Sequence, residues 1–212
     1  VRRKTGGVTD ISETSWTGKA SMQSNTEAVT AMTAAKLVLS YPVWKGELQM
    51  GAEETYVSAD ETYAINFTPI PNSDASMEEN TLAGFAQYSV ALPFGQFSAG
   101  LRYEHAKFDY ADHINTDNNV HRSNDSWFPS ISFSTKLKQV RLSLSYTGKT
   151  IRPRFETMSK EISYDNKFTY QTGDPLMKNE IQRTLSLMAQ WKWISFSGNY
   201  ERVDNKVFQR GY

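Results

Sequence analysis

The sequence has no cysteine, only three histidines, and no excess of either charge: 23 basic side chains balance 23 acidic ones over 212 residues. Without cysteine there is no disulfide framework, no thiolate zinc site and no cysteine nucleophile. Without a basic excess nothing displaces the counterions of a nucleic acid, so no nucleic-acid partner is expected. No apolar run approaches the roughly 18 to 20 residues that a membrane-spanning helix needs. The first residues, Val1-Arg2-Arg3-Lys4, lead into Thr, Gly and Asp rather than an apolar core, which reads as no signal peptide. Helical spacing of the i, i+3, i+4 kind is nowhere sustained. Even the Ala-rich stretch Glu27 to Lys36 carries Thr30 and Thr33 and favours extended structure.

What the chain does have is alternation with period two, the mark of strands whose two faces meet different surroundings. Val140, Leu142, Leu144 and Tyr146 oppose Arg141, Ser143 and Ser145. Ile131 and Phe133 oppose Ser130, Ser132 and Ser134, and Phe97, Ala99, Leu101 and Tyr103 oppose Ser98, Gly100, Arg102 and Glu104. About eight such strands run from Ser24 to the C-terminus, with another expected before Ala20.

The connections alternate as strictly as the residues. Tight turns fall at Pro42 to Gly46, Pro93 to Gln96, Leu137 to Gln139 and near Trp191-Lys192, whereas long polar stretches run roughly over Asn66 to Met77, Ala111 to Ser126 and Pro153 to Lys178. An antiparallel meander with short turns at one end and long loops at the other is the layout of an outer-membrane barrel. A soluble β-sandwich would alternate as well, but gives no reason to gather the long loops at one end. The polar face is rich in Ser, Gly and Gln, as a lumen lining is. Two aromatic girdles are expected: Tyr41, Trp44, Phe94, Phe97, Trp191 and Trp193 near the turns, and Tyr56, Tyr63, Phe108, Tyr110, Trp127 and Phe128 near the loops.

Two segments carry a family resemblance. Leu142-Ser-Leu-Ser-Tyr146-Thr-Gly-Lys-Thr-Ile-Arg152-Pro153-Arg-Phe155 resembles an "LSYS-R-I-RP-Y" strand, and Gly173-Asp174-Pro175-Leu-Met177-Lys178-Asn179-Glu180 a "G-N/D-P-x-L-K-P-E" loop-to-strand element. Met177 and Asn179 stand where that pattern has Leu and Pro. Leu48 to Tyr56 and Phe97 to Tyr103 resemble two further strands, so the likeness extends from about Ser24 to Phe208. These are elements of the TonB-dependent receptor-like outer-membrane β-barrel proteins common in Bacteroidetes. The resemblance implies a barrel of about 22 strands with an N-terminal plug. It implies localisation in the cell outer membrane, contact with lipid, and partners that include the plug, periplasmic TonB and a surface lipoprotein. The 212 residues then read as a single partial barrel domain, roughly a third of the wall, without plug or remaining strands.

Candidate chemistry is sparse. There is no G-x-S-x-G elbow and no histidine on the serine-rich strands, so a hydrolase or barrel phospholipase is not expected. His105, Asp109, Asp112, His113 and His121 gather around one loop, but no metal site and no cofactor is expected from them. Arg102, Glu104, Arg141, Lys149 and Arg152 fall on or near the inward face, where they form interior salt bridges or plug contacts, or line a solute path. Loop aromatics Tyr164, Phe168 and Tyr170 either stack on a ligand or pack the loop on itself. The ligand-binding candidates are therefore Arg102, Glu104, Arg141, Arg152 and Tyr170. The expected fold is all-β, an antiparallel meander of about eight or nine long strands forming part of a transmembrane β-barrel. The expected role is the wall of a receptor importing a metal chelate, glycan or peptide; the alternatives are a passive barrel, an adhesin, or a soluble β-sandwich binding module.

Overall fold

The structure, a computed structural model, describes residues 1–15, 18–66, 70–166 and 169–207, with side chains described except at 11–21, 156, 163–166 and 170. Nine antiparallel strands form one sheet: β1 (Arg2–Ser15), β2 (Gly18–Val43), β3 (Gly46–Ile65), β4 (Ser73–Leu92), β5 (Gly95–Asp112), β6 (Val120–Leu137), β7 (Val140–Ile151), β10 (Glu180–Trp191) and β11 (Ile194–Asp204). Their spatial order follows the chain. Between β7 and β10 the chain makes one helical turn, α1 (Phe155–Met158), and a small hairpin, β8 (Ile162–Asn166) with β9 (Thr169–Thr172). This hairpin lies inside what the sequence shows only as a long polar loop. The single main sheet is a meander, as expected, and not the two facing sheets of a sandwich. Among the described residues β1 pairs only with β2 and β11 only with β10, so the sheet is open and each outer strand has a free edge.

All four tight turns lie at one end and hold two residues each, closing the pairs Val43–Gly46, Leu92–Gly95, Leu137–Val140 and Trp191–Ile194. In three of them the first residue is left-handed: Trp44 at φ 55°, Lys138 at 53° and Lys192 at 52°. The strands between are long. Twenty residues at about 3.3 Å each carry β3 and β4 over roughly 66 Å, whereas a membrane needs only about 9 to 11 residues of tilted strand.

The two ends of each strand obey opposite rules. From the turn end to about Tyr103 and Trp127, the outward face is apolar and exposed: Leu37 (63%), Leu101 (47%), Ile131 (50%), Leu144 and Phe196. The cross-strand row Ala99–Ile131–Tyr146 is typical of it. The opposite face there is rich in uncharged polar groups, with Glu47, Lys136 and Arg141 near the turns; Gln87 and Ser89 both hydrogen-bond Ser98 at 3.0 Å. Farther toward the long connections the faces exchange character. Outward positions become His105, Lys107 and Asp109 opposite Asp125, Ser123 and His121, while the inward face becomes Ala75, Met77, Phe108 and Tyr110.

That exchange corrects two expectations. Tyr56 and Trp127 are outward and exposed, as a girdle requires, but Tyr63, Phe108, Tyr110 and Phe128 are buried. Phe108, Tyr110 and Phe128 share the inward parity of Arg102 and Glu104 and serve a core rather than an interface. The connections after β3 and β5 are also shorter than the sequence indicates, because β4 already begins at Ser73 and β6 at Val120. Beyond the belt both faces hold mixed residues, so the strand persists where its alternation changes phase.

The core sits at the loop end. Ala75, Met77, Phe108 and Tyr110 on the sheet bury Met158 of α1, with Phe155, Val120 and Met177 packed around them. A second cluster joins Met22, Tyr63 and Ile70, flanked by Ile65 and Ile162. Fully burying each large side chain contributes about 1.5 to 3 kcal/mol, so Phe155, Met158, Ile162 and Met177 hold the described parts of the connection after β7 onto the inner face. Gly173 permits the tightest point: a Cβ there would lie 2.4 Å from the carbonyl oxygens of Thr157 and Ser159.

Candidate functional site

Four strands and the segment after β7 place charges on the inner face just above the serine ladder. Lys36 of β2 lies opposite Glu53 of β3 in register and reaches its carboxylate at 3.6 Å. The same carboxylate takes the Arg102 guanidinium from β5 at 3.3 Å, and Arg102 Nε donates to Glu104 at 2.7 Å. Arg152, just past β7, donates to Glu79 of β4, to the Thr81 hydroxyl at 3.1 Å and to Glu104 at 3.5 Å. The Thr150 hydroxyl also donates to Glu104 at 3.1 Å. Three cations thus meet three carboxylates. Two of the carboxylates are the more deeply placed: side-chain exposure is 7% for Glu79 and 12% for Glu104, against 37% for Arg152, whereas Glu53 and Arg102 are about equally exposed. Such a network fixes five segments against one another and leaves no net charge at that height.

Glycine lets an aromatic join it. A Cβ on Gly51 would fall 2.5 Å from the Phe85 ring, and the Lys36 ammonium lies 5.3 Å from that ring's centre. Two adjoining hollows flank Arg152. One of about 600 Å³ is walled by Met32, Val57, Glu61, Met77 and Phe155; one of about 280 Å³ lies beside Glu53, Thr81 and Arg102.

Of the residues marked by the sequence, Arg102, Glu104 and Arg152 converge here. Arg141 does not. It sits at the turn end, opposite Lys136 and Gln190, and is exposed. Lys149 is likewise exposed, opposite Gln182. Phe168 and the side chains of Tyr164 and Tyr170 lie outside the described residues. Lys36, Glu53 and Glu79 are the members that sequence reading missed, although Glu53 and Glu79 share the inward parity of Gly51 and Thr81.

Arg122 was also missed, and it holds the long connection. Its guanidinium donates to the carbonyls of Pro175, at 3.3 Å, and Met177, and stacks 4.3 Å from the centre of the Phe108 ring. The Gly173–Glu180 element thereby has an anchor on β6. Nearby, Glu61 of β3 is buried and faces Glu161, which follows α1. Burial first, and the Glu61 carboxylate second, push the Glu161 carboxyl up to about 7.

The histidines disperse into separate pairs. His105 meets Asp125 at 2.7 Å, His113 meets Asp74 at 3.0 Å, and His121 meets Asp109. Among the described residues no three metal-binding side chains converge.

Residues 4–211 match a family described as outer membrane protein beta-barrel. No curated protein matches the chain. Among solved structures, the chain is similar in fold to the ferric citrate transporter FecA in its unliganded form. The TM-score is 0.53 at 14% identity, over 90% of this chain and 29% of FecA. The chain therefore spans less than a third of the length of that transporter.

Proposed function

The chain belongs to the outer membrane protein beta-barrel family, and we propose that it is a section of the wall of a TonB-dependent receptor that imports a scarce nutrient. It resides in the outer membrane, with the apolar belt of its outward face against lipid. The observation that carries the receptor reading is the open nine-stranded meander, with a free edge at β1 and at β11, superposing on 29% of a much larger transporter barrel. Further strands of the same barrel would cover both edges, which exposed would invite self-association. The compensated charge network on the inner face then meets a plug domain. Pulling of that plug by periplasmic TonB opens the path, and the nutrient is a metal chelate, glycan or peptide delivered with the help of a surface lipoprotein. The wall binds and conducts and performs no covalent chemistry.

The test is uptake by cells carrying the intact protein, with and without TonB. Accumulation of the nutrient should fall to background when TonB is removed. Uptake that continues unchanged without TonB points instead to a passive barrel.

A further inference from the structure

The four tight turns gather charge of one sign. Within four residues of them stand five cations, Lys45, Lys136, Lys138, Arg141 and Lys192, against one carboxylate, Glu47. The whole chain is neutral, so the rest of it carries the matching excess of acid. Elsewhere Lys4, Lys36, Arg102, Arg152, Arg183 and Arg202 each meet a carboxylate; among the described residues the five at the turns meet none. Lys136 and Arg141 even oppose each other in register, a pairing of like charges that costs stability unless an anion lies near. These cations border the apolar belt. Leu137, Val140, Trp191 and Ile194 form one outward cross-strand row at its end, and all four are exposed. Lys138 and Lys192 directly follow Leu137 and Trp191 in the chain, and the Lys192 ammonium lies 5.4 Å from the centre of the Trp191 ring. In the turns themselves Trp44 is 99% and Trp193 87% exposed.

We propose that this rim binds the headgroups of anionic phospholipid in the leaflet at the turn end, which in an outer-membrane barrel is the periplasmic leaflet. Three features together select that class. The unpaired cations call for an anion. The apolar row beside them calls for acyl chain, which a free phosphate or a soluble acid lacks. The scarcity of carboxylate disfavours a zwitterionic headgroup, whose own ammonium would face Lys138 and Lys192 with only Glu47 to receive it, and Glu47 has inward parity. The tryptophans fit the same height, because indole rings collect at headgroup level. Lysine stems can lie along the apolar row while their ammonium groups reach the phosphate. The rim goes beyond the receptor reading and does not depend on TonB: it needs only that the belt lies in a membrane, and would serve a passive barrel too. In zwitterionic lipid alone the lysines have no such partner, and changes at the turns report on backbone geometry.

The test places a fluorophore on the intact protein at Leu137→Cys, in the apolar row, or at Trp127→Cys, at the opposite edge of the belt, with any other cysteine replaced by serine. The vesicles hold equal amounts of phosphatidylglycerol and phosphatidylcholine, and one lipid or the other carries brominated chains that quench on contact. Comparing the two preparations gives the preference of the neighbouring lipid site. At Leu137 the anionic lipid should be preferred about five-fold at low salt, the effect of one lysine beside an anionic surface. At Trp127 it should not be preferred. Lys138→Gln combined with Lys192→Gln should bring the preference at Leu137 below about two-fold, and so should about 1 M salt, which needs no variant to fold. Equal quenching by the two lipids at Leu137 overturns the proposal, as does a preference that survives either the salt or the double variant. A preference of the same size at Trp127 overturns it too, because the turns would then not be its source.

Discussion

Removing Arg152 should harm the protein more than removing Arg152 and its partner's charge together. Arg152 bonds Glu79, whose side chain is only 7% exposed and has one other described partner, the Thr81 hydroxyl. Glu104 is less dependent, because it keeps Arg102 at 2.7 Å and Thr150 at 3.1 Å. Two unit charges 4 Å apart attract by about 4 kcal/mol at an effective dielectric of 20. Desolvation and the 37% exposure of Arg152 reduce this to a net coupling of about 1 to 3 kcal/mol. Arg152→Ala leaves an ionised carboxylate stranded in a low-dielectric site, and should cost about 2 to 3 kcal/mol. Glu79→Gln in the same background restores a neutral group that can still bond Thr81, and should recover about 1 kcal/mol or more. The assay is urea unfolding of the intact protein in lipid vesicles, run as a four-member cycle. A double variant no more stable than Arg152→Ala, or a coupling below about 0.3 kcal/mol, refutes the placement of Glu79 in a buried network.

Two further outcomes test the wall and its turns. Ile131 and Ser132 are neighbours on β6 at mid-depth of the belt, one facing out between Ala99 and Tyr146, the other in between Ser98 and Ser145. Ile131→Arg should cost about 2 to 4 kcal/mol in lipid and Ser132→Arg far less, measured by the same unfolding; equal costs contradict the face assignment. At the turns, Lys138→Gly should stabilise by about 0.5 to 1 kcal/mol because Lys138 sits at φ 53°, where a Cβ is penalised. Gln139→Gly, one residue on, should not, and a clear loss for Lys138→Gly argues against this turn geometry.

The belt was legible in the sequence because lipid on one side and lumen on the other demand strict alternation. Phe97 to Glu104 and Ser130 to Tyr146 therefore disclose strand, face and register at once. The turns were legible from their brevity. Above the belt the same strands meet water outside and the folded connection inside, so the rule reverses. Along β5, Leu101 and Tyr103 give way to His105 and Lys107 on one face, and Arg102 and Glu104 to Phe108 and Tyr110 on the other. A phase reversal within an unbroken strand is indistinguishable, residue by residue, from the end of a strand and the start of a loop. That is why Tyr63, Phe108, Tyr110 and Phe128 looked like girdle residues, and why β4 and β6 looked shorter than they are. The charge network was half visible. Arg102, Glu104 and Arg152 stood out as charges on or near a polar face, whereas Glu53 and Glu79 lay beside outward glutamates, Glu54 and Glu78, and only pairing between distant strands selects among them.

The most direct test of the central claim uses the absence of cysteine from these 212 residues, with any cysteine elsewhere in the intact protein replaced by serine. Single cysteines placed at 130, 131, 132, 133 and 134 of the intact protein in lipid vesicles can each carry a spin label. Accessibility is then read to oxygen, which partitions into lipid, and to a water-soluble nickel complex. Labels at 131 and 133 should favour oxygen and those at 130, 132 and 134 the nickel complex, with a period of two. Uniform access to the nickel complex, or the same alternation in opposite phase, would contradict a lipid-facing wall built from these outward positions.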